Sequence, residues 1–364
     1  MAEKQRYTFI DEFRGLIGVM MALGHSNYYF NSAWLSLDPL DPFFDNLPQF
    51  LLRYMGYLCA PGFLMMNGAM IYYVFHRRLN NGEGTGHIRW GFIQRGLFLI
   101  AVQLTWVNSS WGAFSRLRLE HYGIIATIGT SMLLLIWMVT WKWQARAAVA
   151  LGLFLVHPLL LKIPYDHDGP WHYLMQFWVD AGHFNKYPVL PWFALAIVGS
   201  VMAHFWFEEW KDPMRRARNS VLTGLALIGI AWLVRLTDDY GNIFAYDTFF
   251  SYSFFLVQKY PPSLAHQFWF SGAVISLVGV FSFIDAKSPL LRPLAKIGRV
   301  PLFFYAVHIP LLAIFTRRLG LFYREGAVAE SLYGWVALMV VMYPLAIWFT
   351  GVKKRNRSWL IRMI

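Results

Sequence analysis

Apolar residues gather into ten runs, each of roughly the twenty residues that span a hydrocarbon core as an α-helix. They lie at about 10–30, 49–75, 91–109, 122–141, 145–162, 188–207, 219–236, 267–285, 298–316 and 332–352. Only Trp141–Gln144 separates the fourth run from the fifth, which predicts a tight helical hairpin. No linker, low-complexity tract or internal repeat interrupts this pattern. Residues 1–364 therefore read as one all-α bundle of about ten transmembrane helices. The longest stretches between runs are 163–187 and 237–266, the second with Asp238, Asp239, Asp247 and the Pro261-Pro262 pair. Each is too short for a soluble domain, and either can cap an outward-facing cavity.

Composition sharpens the picture. Hydrophobic residues make up 57% of the chain and charged residues 14%, against about 25% charged in soluble domains. Many of the 17 tryptophans sit at the ends of apolar runs, as in membrane-interface belts. The single cysteine, Cys59, excludes an intramolecular disulfide and a cysteine-based zinc site. Asp11, Arg14 and His25 in the first run, with no small-residue cleavage site after it, argue against a removable signal peptide.

The net charge of +12 is a topology signal, not a nucleic-acid one, because the basic residues lie between apolar spans. With the N-terminus inside, inner segments and inner helix ends hold 22 of the 32 Lys and Arg. Among them are Lys211, Arg215, Arg216 and Arg218, then Lys287, Arg292, Lys296 and Arg299, and in the tail Lys353, Lys354, Arg355, Arg357 and Arg362. This bias and the even span count predict that both termini are cytoplasmic. The main exception is the last outer loop, with Arg317, Arg318 and Arg324.

Ionisable residues inside a span are costly and by default face the bundle interior or a wet cavity. On the first helix, Asp11, Arg14, Gly15, Gly18, Ala22 and His25 share one face, while Phe13, Leu16, Ile17, Met20 and Leu23 share the other. A stripe of small residues admits a neighbouring helix or a slender ligand. Arg14 and His25 lie about 16 Å apart along the axis, near the cytoplasmic surface and in the outer half of the membrane respectively. An imidazole there suits a general base. The plainer alternative is an interfacial arginine and an interhelical hydrogen bond.

Arg14-Gly15-Leu16 followed by His25 resembles the first helix of the transmembrane acyltransferase superfamily, which includes the acyltransferase-3 proteins. Three further stretches resemble its heparan-alpha-glucosaminide N-acetyltransferase-like bacterial branch. They are Pro61–Gly68, Tyr187–Trp192 and Gly298–His308, in the expected order. The resemblance implies an enzyme of the bacterial inner membrane, working among membrane lipids. It would move an acyl group, acetyl by default, from cytoplasmic acyl-CoA to a hydroxyl or amine of an acceptor such as a glycan outside. It implies no metal and no nucleic acid. His25 would be the base or acyl-carrying group, with Arg14 and Asp11 beside it in the motif, and the small stripe would line a slot for the pantetheine arm. Animal lysosomal relatives have asparagine at the position of His25. No histidine lies between His25 and His76 here, so the role falls on His25 by analogy with the bacterial branches.

Other candidates follow from position. Arg77, Arg78, Arg89 and Arg95 are placed to meet CoA phosphates, or simply to anchor helix ends. Tyr305 and His308 are one helical turn apart and can face one cavity, and Asn67 is either a substrate contact or a hydrogen bond between helices. The outer loop Asp166–His172 crowds acids and imidazoles at a Gly-Pro turn, a pattern usually just solvated. The rival from another class is a transporter or flippase of a polar or lipid-linked substrate, with prolines at 188 and 191 marking a broken helix. No inverted repeat supports it.

Overall fold

The computed structural model describes residues 7–34, 46–237, 239–356 and 358–364. Asp238, Arg357 and the side chain of Arg362 lie outside the described residues. Among those residues the secondary structure is helical, apart from the isolated bridges Asn31–Gly326 and Lys259–Pro262. Every apolar run contains helix. The principal helices are α1 (Thr8–Phe30), α2 (Leu47–Tyr57), α3 (Cys59–Asn80), α4 (Thr85–Val102), α5 (Ile124–Met138), α6 (Trp143–Leu160), α7 (Val189–His204), α8 (Pro213–Thr237), α9 (Leu264–Lys287), α10 (Arg292–Gly298), α11 (Pro301–Ala313) and α12 (Val328–Arg355).

Among the described residues, six helical stretches are long and apolar enough to cross a membrane: Leu47–Asn80, Trp143–Leu160, Val189–Glu209, Pro213–Thr237, Leu264–Lys287 and Val328–Arg355. A seventh arises if the pair Pro289–Gly298 and Pro301–Arg318, bent by 71°, is one span. The bend falls where Pro301, with no N–H to donate, cannot continue α10. The other three runs contain α1, which carries Asp11, Glu12 and Arg14, α4 with Arg89 and Arg95, and the 15-residue α5.

The helices sort into a centre and a shell. The most apolar stretch of Val189–Glu209 is 78% buried, whereas those of α6, α8 and α12 are each 22% buried. Those three turn their apolar faces outward, as helices in contact with lipid do. At the centre, glycines let backbones touch. A Cβ on Gly68 would lie 1.8 Å from the carbonyl oxygen of Ala196, which locks α3 to α7, and one on Gly15 would lie 2.0 Å from that of Leu294. The small stripe of α1 is therefore a seam filled by α10 rather than a slot for a ligand. Periodicity marks such a face but does not say what covers it.

Candidate functional site

His25 sits in the last third of α1, half-buried, against α11. Its Nδ1 lies 2.7 Å from Nε2 of the fully buried His308, with the rings parallel and 5.0 Å between centroids. Nδ1 of His308 lies 2.7 Å from the carbonyl oxygen of Phe304, one turn back on the same helix. A carbonyl only accepts, so the proton of neutral His308 is on Nδ1 and its Nε2 is bare. His25 must then carry its own proton on Nδ1 to donate to that Nε2. With both rings neutral, Nε2 of His25 is left with a free lone pair, the state required of a base or nucleophile.

The surroundings fix this pair. Pro310 has no N–H for the carbonyl of Ala306, and the indole N–H of Trp106 supplies one at 2.8 Å. That bond ties the π-helical extension of α4, Gln103–Val107, to α11 two residues before His308. Trp111 meets the His25 ring edge-on at 5.0 Å, and Tyr305 does so at 6.1 Å. The carbonyl of Trp111 is held by Tyr29 Oη at 3.2 Å and Arg317 Nη1 at 2.9 Å. A Cβ on Gly24, the residue before His25, would meet no atom within 4 Å.

Arg14 and Asp11 lie at the other end of α1 and do not join the histidines. Asp11 Oδ1 is 3.6 Å from Arg14 Nη1, and its Oδ2 is 3.8 Å from Arg299 Nε, at the α10–α11 bend. Arg95 of α4 is close enough to Arg14 for the two charges to repel. The remaining arginines proposed for CoA have contacts of their own. Arg77 stacks on Tyr73, Arg89 on Trp137, and Arg78 Nη2 binds Glu83 Oε2 at 2.6 Å. This last contact holds the Glu83 carboxyl below the usual carboxylate range. Asn67 is half-buried, and its Nδ2 has no hydrogen-bond partner among the described residues. The Asp166–His172 loop closes on itself, with Asp166 Oδ1 accepting from the Asp168 N–H at 3.0 Å and His172 Nδ1 2.7 Å from the Gly169 carbonyl oxygen.

Several residues near His25 escaped the sequence reading. Lys259, from the stretch before α9, donates to the Gly56 carbonyl at 3.0 Å and faces the rings of Tyr57 and Tyr260. Its charge is felt at His25 and at the fully buried His266. Tyr260 shares a 2.9 Å hydrogen bond with Tyr187, which packs 5.4 Å from Trp192. Burial alone would raise the Tyr260 phenol, but Lys259 and the bond from Tyr187 outweigh it and hold the phenol below its ordinary value. The Pro261-Pro262 pair and the Tyr187–Trp192 stretch were the available signals. His266, alone at a helix start, offered none.

Residues 6–235 match the protein family described as "Heparan-alpha-glucosaminide N-acetyltransferase, catalytic". The matched region holds His25, Arg14 and the α3 and α7 motifs and ends before Lys259, Tyr305 and His308. No curated protein matches the chain.

Proposed function

The chain belongs to the heparan-alpha-glucosaminide N-acetyltransferase catalytic family, and on that premise we propose that it is a membrane-embedded acyltransferase. It takes an acyl group, acetyl by default, from cytoplasmic acyl-CoA. It passes that group to an amine or hydroxyl of an acceptor, a glycan by the family's name, on the outer side. The observation that carries this reading is the His25–His308 pair, which leaves the His25 Nε2 lone pair free.

The acceptor nitrogen or oxygen adds to the thioester carbonyl carbon while its proton passes to Nε2 of His25. The carbon–sulfur bond then breaks, and the proton follows to the departing CoA sulfur. The same lone pair can instead take the acyl group first and hand it on. Arg14 and Arg95 are the nearest cations on the cytoplasmic side of α1 for CoA phosphates, with Arg77, Arg78 and Arg89 further out. Asp11 positions Arg14 and does not touch the reacting atoms. Tyr305 and His308 line the acceptor side of His25, and Asn67 offers an unused donor to either substrate. Residues 1–364 act as one transmembrane unit in a bacterial inner membrane, with both termini cytoplasmic.

Sidedness tests this directly. Radiolabelled acetyl-CoA is supplied to sealed vesicles of known orientation containing the full chain. Thiol release is expected only when the face bearing the termini is exposed to donor. Release from the opposite face alone contradicts the proposed direction, and acyl-histidine recovered after acid quench would select the two-step route.

A further inference from the structure

The acyltransfer reading uses His25, but a second buried polar cluster stands on its outer side. Lys259 is only 9% exposed, and its ammonium meets the Gly56 carbonyl oxygen and the rings of Tyr57 and Tyr260. Among the described residues no carboxylate pairs with it. A buried charge without a counter-charge is costly. Among the same residues, both ring nitrogens of His266, which is 0% exposed, lack partners, as do Nε1 of Trp192 and Oε1 of the neighbouring Gln267. The Trp192 and His266 rings lie 5.8 Å apart, and Tyr57 links His266 to Lys259.

The cluster is built rather than incidental. Lys259 and Pro262 form a backbone bridge, Gln258 Nε2 donates to the Tyr260 carbonyl at 2.6 Å, and the Ser263 N–H donates to the Gln258 carbonyl at 2.9 Å. The ammonium is thus carried on a tied loop. Tyr187 and Tyr260 are half-buried and pack edge to face, 5.2 Å between ring centroids.

The outer mouth has the same sign. Arg116 pairs with Glu120. Arg317 and Arg324, which broke the positive-inside pattern, instead lie over Tyr323 and Tyr28 near His25, with no acidic partner among the described residues.

We propose that Lys259, with Tyr187, Tyr260, Trp192 and His266, forms an acceptor subsite that takes a carboxylate, phosphate or sulfate carried on the acceptor sugar. Lys259 supplies the charge, Trp192 Nε1 and His266 supply unused hydrogen-bonding groups, and the tyrosine rings offer faces to the sugar. This rests on the acyltransfer reading only in calling the bound molecule the acceptor.

The test uses the purified full chain in detergent, with glucuronate, glucose 6-phosphate, neutral glucose and inorganic phosphate as probes, read by thermal unfolding and equilibrium binding. The charged sugars are expected to raise Tm and glucose to leave it unchanged. Lys259→Met is expected to weaken charged-sugar binding roughly 10- to 100-fold, while Lys259→Arg retains most of it. Equal effects of glucose and glucuronate, or charged-sugar binding undiminished in Lys259→Met, would overturn the proposal. So would inorganic phosphate matching the full effect of the charged sugars, since the sugar would then contribute nothing. If Lys259→Met does not fold, the selectivity of the wild type and of Lys259→Arg decides. Acetyl-CoA binding is measured on the same samples. Protein that binds acetyl-CoA but no charged sugar contradicts this inference alone, and the reverse result contradicts the acyltransfer reading.

Discussion

His25 and His308, 283 residues apart in sequence, face each other with parallel rings and a 2.7 Å Nδ1–Nε2 contact. The Phe304 carbonyl orders the protons along this chain, so His308 decides which nitrogen of His25 is free. His308 is a positioning residue in this scheme, and its replacement should affect turnover more than donor binding. His308→Ala is expected to lower kcat for acyl transfer by roughly 10- to 1,000-fold, short of the full general-base contribution, with acetyl-CoA affinity within a few-fold of wild type. His308→Gln, which can still accept from His25 Nδ1, should recover part of the loss. Steady-state kinetics with separate kcat and KM checks both.

The glycines of α1 and its partner make opposite predictions. A Cβ on Gly298 would sit 1.7 Å from the Asp11 carbonyl oxygen, so Gly298→Ala must push α10 away from α1. It is expected to cost about 1–3 kcal/mol, visible as a lower Tm in detergent. Gly24→Ala meets open space and should leave Tm unchanged or slightly raised, since alanine is the better helix former.

Much of the architecture was legible from one rule, that twenty apolar residues make a span. All ten runs contain helix, but α1 is packed on both faces: Phe13 and Ile17 of the large apolar stripe are fully buried, while Arg14 and His25 are half-buried. What the rule could not supply was the identity of the neighbours. Gly15 and Gly18 read equally well as a ligand slot or a helix seam, and the approach of Leu294 decides for the seam. Tyr305 and His308 were visible from their spacing, but the contact of His308 with His25 is long-range and leaves no local trace. Lys259 resembled any minority charge in an outer loop until burial set it apart.

Glu83 tests the assignment of Arg78. If Arg78 contacts a CoA phosphate, its ion pair with Glu83 competes with that contact. Glu83→Gln should then tighten acetyl-CoA binding roughly two- to five-fold, in keeping with the modest worth of exposed pairs, and Arg78→Ala should weaken it. Unchanged affinity in both variants, by titration calorimetry, would remove Arg78 from the donor site.

Tyr260 gives a pH signature. Its folded phenol titrates below the usual value because of Lys259 and Tyr187, working against burial. The corresponding stabilisation is fully present above the unfolded pKa, near 10, and is lost as pH falls through the folded value. The contribution is therefore greatest in the alkaline range. In Lys259→Met the phenol should titrate higher, as read from the ultraviolet difference against Lys259→Met/Tyr260→Phe. An unshifted titration would mean that Lys259 does not act on Tyr260.

The most direct measurement compares wild type with His25→Ala for binding and hydrolysis of radiolabelled acetyl-CoA by the full chain in detergent. The wild type should bind the donor and release thiol slowly, while the variant binds it with similar affinity and loses at least about 100-fold in turnover. Folded wild-type protein that binds no acetyl-CoA, or a His25→Ala variant that turns over at the wild-type rate, would contradict the central claim.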